Sequence, residues 1–498
     1  MDLRVLVPLL AIFLFARCHK NDSREFIPQN HIIVHSNAIE TENKTTDAAQ
    51  TLPSLCTVCN CTGRYINCSN RGLETHFNDS QWPDIKAVEV SFEGNQLVHV
   101  TAFPRIVVER LILRKNHIAK IDYHAFKELV NLTELDLSHN QLTSDLLQPH
   151  VFEGKFSPEA YEPLSDLKIL NLAGNLLKSL HQSLFEHLVG VKVLNLSENP
   201  FSMFDYRTSI AISSLSYLEE LDISYCRLKT LPTLQFHNAK YLKKLNLAGN
   251  QFIHMPAPLG NAVALEYLRL DNNPIKVIDR TNTFPNLTQL KEVSMCYMQS
   301  LTTIGNGGLS GLINLESLYV QNCPKLKKIN DYAMLYKTSE GEMWPPLKKL
   351  DISDNALRYL PAMLVGRWDQ LEELDLMNNE WSCDCNNQFL IGILLPEYGK
   401  QLMGDEVGEL TCSAPPEHKD KKLTSLAKWH LRCLDLYDAR PERDAAILVG
   451  ILIGLLIAIP VGLVFFVLWR RGFFFCGPQG PASFSRAFYK RASNDDDI

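Results

Sequence analysis

One nine-residue pattern recurs along most of this chain and limits its fold more than any other feature. Residues 132–140 read LTELDLSHN, which is L-x-x-L-x-L-x-x-N, and similar stretches recur roughly every 24 residues. Leu135 and Leu137 alternate with polar neighbours, and this period of two predicts a short strand with its leucines facing inward. A single unit cannot bury that face alone, so successive units must stack as the coils of a solenoid. Close copies are LKILNLAGN (167–175), LKKLNLAGN (242–250), LEYLRLDNN (265–273), LKKLDISDN (347–355) and LEELDLMNN (371–379).

The residue that closes each copy provides a count of the coils. About twelve are predicted between residues 85 and 380, with closing residues Asn95, Asn116, Asn140, Asn175, Asn199, Cys226, Asn250, Asn273, Met298, Cys323, Asn355 and Asn379. The asparagine amides are expected to bond backbone groups of their own and the adjacent coil, which would otherwise be buried unpaired. Two intervals are long, 35 residues before Asn175 and 32 before Asn355. Inserted loops are therefore predicted at 143–163 and 327–346.

Eight of the 13 cysteines form two groups that flank the repeats. Four precede the first coil and four follow the last one, where Trp381 and the stretch CSAPPE from Cys412 also lie. Solenoid ends expose apolar core and need such caps. Within each group the residues alone allow three disulfide pairings, and zinc binding is the rival interpretation of the C-x2-C-x-C spacing in the first group. The groups comprise Cys56, Cys59, Cys61 and Cys68, then Cys383, Cys385, Cys412 and Cys433.

The repeats and both cysteine groups together resemble the extracellular leucine-rich repeat family, including its single-pass type I membrane proteins with cysteine-rich caps. The resemblance implies an α/β-type leucine-rich repeat solenoid, shaped as a horseshoe with a parallel concave sheet. It also implies four disulfides in the caps, since a secreted chain can form them. Their implied pairs are Cys56–Cys61, Cys59–Cys68, Cys383–Cys412 and Cys385–Cys433.

Two apolar segments define the expected topology. Arg4 followed by the apolar run to Phe15 is typical of a signal peptide, assigned to 1–18. Residues 445–469 carry no charge and would extend roughly 37 Å as a helix, enough to cross a bilayer. Arg470 and Arg471 follow and place that end inside the cell. The remaining segments are a flexible lead-in (19–54), the caps (55–84 and 381–434), a stalk (435–444) and a cytoplasmic tail (470–498).

Several positions are candidates for modification or for partners at the chain ends. Of the N-x-S/T sequons, Asn43, Asn78, Asn131 and Asn286 are favoured for glycosylation. Cys476 lies close to the membrane span and is a lipidation candidate. The acidic–apolar end, Asp496 to Ile498, could pair with a PDZ-like domain, although a solvated end is the alternative.

Three further cysteines lie within the repeats. Cys226 and Cys323 stand at closing positions and are predicted to be buried thiols, whereas Cys296 is expected to face outward on the concave side.

Outward strand positions of coils eight to ten hold the candidate ligand-binding residues, because tyrosine and arginine on one open sheet are typical of interface hot spots. An ordinary mixed surface is the alternative. A second window in the second coil, Arg110, Ile112, Arg114 and Lys115, is predicted to form a small basic patch. The candidates in coils eight to ten are Tyr267, Arg269, Asp271, Tyr297, Tyr319 and Gln321.

The sequence favours a binding protein over an enzyme. It has none of the motifs of zinc proteases, serine hydrolases, P-loop proteins or dinucleotide-binding proteins, and it indicates no cofactor or metal. A net charge of −7 gives no nucleic-acid footprint. The first hypothesis is a plasma-membrane receptor, co-receptor or adhesion molecule that binds an extracellular protein. The alternative is a regulatory or scaffold subunit that acts sideways on another membrane receptor or channel, and the fold alone cannot decide between them.

Overall fold

The structure is a computed structural model that describes residues 54–434 and 441–471, except 84–85, 130, 158–159, 163, 340 and 367. The chain divides into two compact units, residues 1–431 and residues 432–498. The proposed signal peptide, Asn43, Cys476 and the acidic C-terminal end all lie outside the described residues, as does nearly all of the lead-in.

A single 14-stranded sheet runs the length of the repeats. Twelve of its strands are parallel repeat strands, and we number the coils 1–12 by them. The inward leucines are in register, so Leu135 lies opposite Leu111 on one side and Leu170 on the other. The predicted count of twelve coils is confirmed. The strands are Ala87–Ser91, Val108–Ile112, Glu134–Asp136, Ile169–Asn171, Val193–Asn195, Glu220–Asp222, Lys244–Asn246, Tyr267–Arg269, Glu292–Ser294, Ser317–Tyr319, Lys349–Asp351 and Glu373–Asp375.

Buried asparagines join most coils to the one before them. Asn140 is 6% exposed, and its Nδ2 donates to the carbonyl oxygens of Leu113 in coil 2 and Leu137 in coil 3. Its Oδ1 accepts from the backbone N–H of Ile118 in coil 2. These are backbone groups that the strand and its turn leave unpaired in the interior. We call the repeated arrangement the asparagine ladder, and its bonding to both coils is as predicted.

Cysteine replaces asparagine at two steps of the ladder. Cys226 and Cys323 are free and buried, as predicted, and burial raises the pKa of each thiol to about 12. Cys226 Sγ lies 3.3 Å from the carbonyl oxygen of Leu196, and Cys323 Sγ lies 3.4 Å from that of Met295. A thiol is a weak donor and supplies fewer contacts than an amide. At Met298, in coil 9, the side chain offers no N–H or O–H donor.

The N-terminal cap extends the sheet by a hairpin. Strands Asn60–Thr62 and Tyr65–Asn67 are antiparallel, and the second pairs in parallel with coil 1. The cap therefore covers the first coil with backbone hydrogen bonds as well as side chains. Two disulfides, Cys56–Cys61 and Cys59–Cys68, hold it together.

The C-terminal cap closes the other end. Trp381 is 1% exposed and donates its indole N–H to the carbonyl oxygen of Leu376, 2.9 Å away. Cys383 and Cys412 form a disulfide, and Cys385 and Cys433 are each disulfide-bonded as well. Three of the four pairs implied by the resemblance are thus present as named. Around them lie a π-helix at Leu390–Gly399, an α-helix at Lys400–Met403, and 3₁₀ turns at Cys385–Asn387, Gly404–Glu409 and Leu423–Leu426.

The return segments of the coils hold little helix. Among the described repeat residues one α-helix forms, Tyr206–Ser213, whose N-terminus is capped by the Asp205 side chain accepting from Thr208 N–H. Coils of this length leave too few residues for longer helices. The other return elements are 3₁₀ turns at Pro149–Val151, Ala257–Asn261 and Trp368–Gln370 and short strands at His99–Val100, Lys120–Ile121, Val277–Ile278, Thr303–Ile304 and Lys328–Ile329.

Both predicted insertions contain hairpins. The first pairs strand Lys155–Ser157 with Ala160–Glu162, and the second pairs Tyr336–Thr338 with Gly341–Met343. The two further 3₁₀ turns, Leu55–Thr57 and Asp79–Gln81, belong to the N-terminal cap.

In the second unit, helix Pro441–Arg470 includes the predicted apolar span and extends it by four residues at its start and one at its end. Residues Ala445–Arg470 are long and apolar enough to cross a membrane by length and composition.

Candidate binding surface

The six predicted ligand-binding residues lie on neighbouring coils of the long sheet. Tyr267 and Arg269 belong to the strand of coil 8, and Tyr319 belongs to that of coil 10. Arg269 is in register with Ser294 of coil 9, which is in register with Tyr319. Asp271, Tyr297 and Gln321 follow these strands. We call this region, on the outward side of coils 8–10, the sheet surface.

Asp271 holds the sheet surface together and is itself only 2% exposed. One carboxylate oxygen accepts from Ser294 Oγ at 2.6 Å and from the backbone N–H of Cys296 at 2.8 Å, joining coil 8 to coil 9. The other oxygen accepts from Arg269 Nε. Asp271 therefore acts by fixing the position of Arg269, since its own carboxylate is buried.

Arg269 remains available to a ligand after this contact. Its side chain is 32% exposed, whereas that of Asp271 is 3% exposed. Its Nε is taken by Asp271, and its two terminal nitrogens have no hydrogen-bond partner among the described residues. A guanidinium held in one orientation with free terminal nitrogens is suited to a carboxylate, which it binds in bidentate fashion.

The tyrosines differ in their access to solvent. Tyr267 and Tyr297 are half-buried, and Tyr319 is 8% exposed, so it supports the surface more than it presents a ring. Tyr297 packs against Tyr319 and Cys296. Burial, followed by the negative charges of Asp271 and Asp354, raises the pKa of the Tyr297 phenol. Gln321 donates from Nε2 to Ser353 Oγ at 3.0 Å, which links it to coil 11.

Cys296 lies on the expected outward side of the sheet, but it is not an exposed thiol. Strand alternation does place Cys296 opposite the core residue Met295, but its side chain is fully buried and disulfide-bonded. Tyr319 and Tyr297 pack over it, and its backbone N–H is held by Asp271. The alternation of side chains along a strand predicts which side of the sheet a residue faces. It does not predict which side chains cover that residue.

Tyr225 of coil 6 belongs beside this surface and was not predicted. It is 50% exposed, and its ring lies over Gly249, where an added Cβ would come within 2.2 Å of Tyr225 Cδ1. Its hydroxyl lies 3.4 Å from Asn272 Nδ2 in coil 8. The signal is present in the sequence, because Tyr225, Gly249 and Asn272 each immediately precede the closing residue of their coil.

Glu292 is a titrating group within the sheet surface. It lies between Tyr267 and Ser317 in register on the adjacent strands. Burial raises the pKa of its carboxyl to about 7, and the positive charge of Lys349 opposes the rise. Its charged form is therefore disfavoured in the folded state.

We expect Glu292→Gln to stabilise the protein at alkaline pH. Because the folded pKa is raised, the contribution of Glu292 to stability is complete at acid pH, below its unfolded value, and is lost as pH rises through about 7. The variant should match the wild type at pH 4 and exceed it at pH 8 by about 1–3 kcal/mol in unfolding free energy. Urea unfolding at both values measures this. A constant difference between them would contradict the assignment.

The predicted basic patch in coil 2 was wrong, because each cation is paired. Arg110 forms salt bridges with Glu89 in coil 1 and with Glu134 in coil 3, where Nε lies 3.2 Å from Oε2. Arg114 and Lys115 both contact Glu93, at 2.8 and 3.0 Å. Burial of Glu93 opposes ionisation, but these hydrogen bonds prevail and lower the pKa of its carboxyl.

The favoured sequons within the described residues are exposed. Asn78, Asn131 and Asn286 all lie at the surface, whereas Asn195, another sequon, is 9% exposed within the sheet. Within the described residues, no group of three or more His, Cys, Asp or Glu side chains is arranged to hold a metal ion.

Comparison with known proteins places the repeats in a wide class. The family described as "Leucine rich repeat" matches residues 107–154, 165–219 and 216–275. Keratocan of Gallus gallus is 31% identical over 195 residues, covering 39% of this chain and 50% of keratocan. Transforming growth factor beta activator LRRC32 of Pongo abelii is 27% identical over 321 residues, covering 55% of this chain and 46% of the relative. CD180 antigen of Mus musculus is 25% identical over 224 residues, covering 45% and 31%.

Among solved structures, a chain of the octameric complex of Latrophilin 3, Unc5D and FLRT2 is similar at 20% identity and a TM-score of 0.39. The match covers 74% of this chain and 96% of that chain. The chain spans about half the length of the keratocan and LRRC32 relatives. The twelve stacked coils agree with the leucine-rich repeat family match. The chain is therefore a leucine-rich repeat solenoid with disulfide-bonded caps at both ends.

Proposed function

We propose that this protein is a single-pass type I membrane protein of the plasma membrane that recognises an extracellular protein. It acts as a receptor, co-receptor or adhesion molecule and binds through the sheet surface of coils 8–10. The observation that carries the proposal is Arg269, which Asp271 holds in one orientation with its terminal nitrogens unused. Tyrosines flank it, and aromatic residues with arginine dominate binding energy at protein interfaces.

The chemistry of the surface specifies the kind of ligand. Arg269 favours a carboxylate, and Tyr267, Tyr297 and the exposed ring of Tyr225 favour apolar or aromatic neighbours of that carboxylate. We therefore expect an acidic side chain within an otherwise apolar protein patch. One relative, LRRC32, is by name an activator of transforming growth factor beta. Of that role, only binding to a protein partner is proposed for this chain.

The membrane span rests on the apolar helix Ala445–Arg470. Arg470 and Arg471 at its end favour a cytoplasmic tail, and the disulfides favour an extracellular repeat domain. Glycosylation at Asn43, Asn78, Asn131 and Asn286 belongs to the same proposal. So do lipidation at Cys476 and a PDZ-like partner for the C-terminal end, both outside the described residues.

The test uses full-length protein on a cell surface, exposed first to a panel of secreted proteins and of opposing cells. For a ligand so found, Arg269→Ala and Tyr267→Ala should each weaken binding about 10–100-fold. Arg269→Lys keeps the charge and loses the planar fork, so it should resemble Arg269→Ala. Tyr206→Ala is the matched control, because Tyr206 is 79% exposed on the helix of a return segment. Binding that survives both changes would move the site away from the sheet surface.

A lateral role is the second candidate. Gly450 and Gly454 leave open space on the membrane helix in the G-x-x-x-G spacing that lets helices approach closely. The test is whether a neighbouring membrane protein co-purifies with the full-length chain. Co-purification that Gly454→Leu abolishes, with no binding to secreted proteins or opposing cells, would favour a regulatory subunit of another receptor or channel.

A further inference from the structure

An exposed indole marks the C-terminal cap near its last disulfide-bonded cysteine. Trp429 is 57% exposed, although the cap core is already filled by the buried Trp381. Its ring is held in place from two sides. Lys421 Nζ lies 5.9 Å from the ring centroid, and the His418 ring meets it edge-on at 6.2 Å.

The backbone of Trp429 is fixed as well. Its N–H donates to the carbonyl oxygen of Leu426 at 2.9 Å, and its own carbonyl oxygen accepts from Gln388 Nε2 at 3.1 Å. The indole is therefore presented in a defined position. Ordering it costs little entropy when it meets a partner.

Lys421 contacts this indole, and further lysines lie close to it in the sequence. Residues 417–430 contain four lysines and two acids, a formal charge of +2. Lys422 is paired with Glu409 at 2.7 Å. Lys419, Lys421 and Lys428 are exposed and have no carboxylate partner among the described residues. We call Trp429 together with Lys419, Lys421 and Lys428 the Trp429 surface.

We propose that the Trp429 surface docks on the phosphate headgroups of the bilayer that holds helix Pro441–Arg470. The inference rests on the membrane span proposed above. Only eleven residues, 434–444, separate Cys433 from the apolar stretch that begins at Ala445. Fully extended, eleven residues reach at most about 40 Å. A lipid surface is therefore always within reach of the cap and present at high effective concentration.

The side chains match this surface in kind. Tryptophan prefers the membrane–water interface, where its ring enters the apolar boundary and its N–H stays with polar groups. Lysine ammonium groups bind phosphate as point charges while their stems lie along apolar surface. A sulfated polysaccharide would use the lysines but would leave a half-exposed indole without a role, so lipid fits both features.

The test places the full chain in phosphatidylcholine nanodiscs whose acyl chains carry bromine near the headgroup, which quenches nearby tryptophan emission. The emission of Trp429 is obtained as the difference in tryptophan emission between the wild type and Trp429→Phe. We expect bromine to reduce that emission at least about twofold. The double variant with Lys421→Glu and Lys428→Glu should restore most of the Trp429 emission. Trp82→Phe, in the N-terminal cap, is the matched control and should show no quenching.

The outcomes that overturn the proposal distinguish failure of the docking from failure of the membrane span on which it rests. Unquenched Trp429 alongside quenched Trp469, measured through Trp469→Phe, would leave the span intact and remove the docking. Unquenched Trp469 would remove the span itself, and the docking with it. Heparin binding that needs Lys421 and Lys428, with Trp429 unquenched, would assign the surface to a sulfated polysaccharide instead of lipid.

Discussion

Replacing Trp381 with alanine is expected to lower the unfolding free energy of the repeat domain by about 3–5 kcal/mol. Among the described residues Trp381 is the largest fully buried side chain, and it packs beside the last coil, where it bonds to Leu376. Its removal leaves a cavity and also deprives the Leu376 carbonyl oxygen of its indole donor at 2.9 Å. Since the last coil has no further repeat to pack against, its core depends on the cap, and Trp381 is part of that cover.

Two substitutions separate the causes of that loss, and urea unfolding followed by circular dichroism measures all three variants. Trp381→Phe keeps most of the ring volume and loses the N–H, so it should cost about 1–2 kcal/mol. Trp429→Ala in the same cap removes an exposed ring and should change stability by less than about 0.5 kcal/mol. Equal losses at Trp381 and Trp429 would show that the cap does not seal the solenoid.

Asn199→Ala should cost about 2–4 kcal/mol, because several backbone groups lose their partner at once in a buried place. Asn199 is 1% exposed. Its Nδ2 donates to Leu172 and Leu196 carbonyl oxygens at 2.9 Å, and its Oδ1 accepts from Leu177 N–H at 3.0 Å. The two coils that the side chain joins therefore separate more easily.

Asn199→Cys is the informative control, since this chain already places cysteine at the same position in coils 6 and 10. A thiol restores a weak donor towards the carbonyl oxygens but accepts poorly from Leu177 N–H. The variant should therefore lie between Asn199→Ala and wild type in urea unfolding. A loss equal to that of alanine would mean that the thiols of Cys226 and Cys323 contribute packing and no hydrogen bonding.

The repeat architecture was predictable because each coil repeats the same local constraints. Leucine alternation gave the twelve strands, and the closing asparagines gave the coil-to-coil bonds. Resemblance, rather than spacing, supplied the pairing of Cys383 with Cys412. Because the coils stack in register, the position of a residue within its repeat predicts where it lies in the structure.

What escaped prediction depends on contacts between different coils. Arg110 was interpreted alone as basic, yet Glu89 and Glu134 occupy the same strand position one coil before and one coil after it. Comparing residues at the same position in successive coils would have shown that pairing. The same comparison would have placed Tyr225 next to Gly249. The burial of Cys296 depends on the packing directions of Tyr297 and Tyr319, which such a comparison does not give.

The asparagine ladder has a consequence for how this protein would respond to mechanical tension. Its substituted steps, Cys226, Met298 and Cys323, fall in coils 6, 9 and 10, the first before the proposed binding surface and the other two within it. In a linear array each interface yields largely on its own, so those with fewer bonds open first under load. A pull between a bound ligand and the membrane would thus strain the coils that hold the ligand, and release would begin there while the disulfide-bonded ends stay folded.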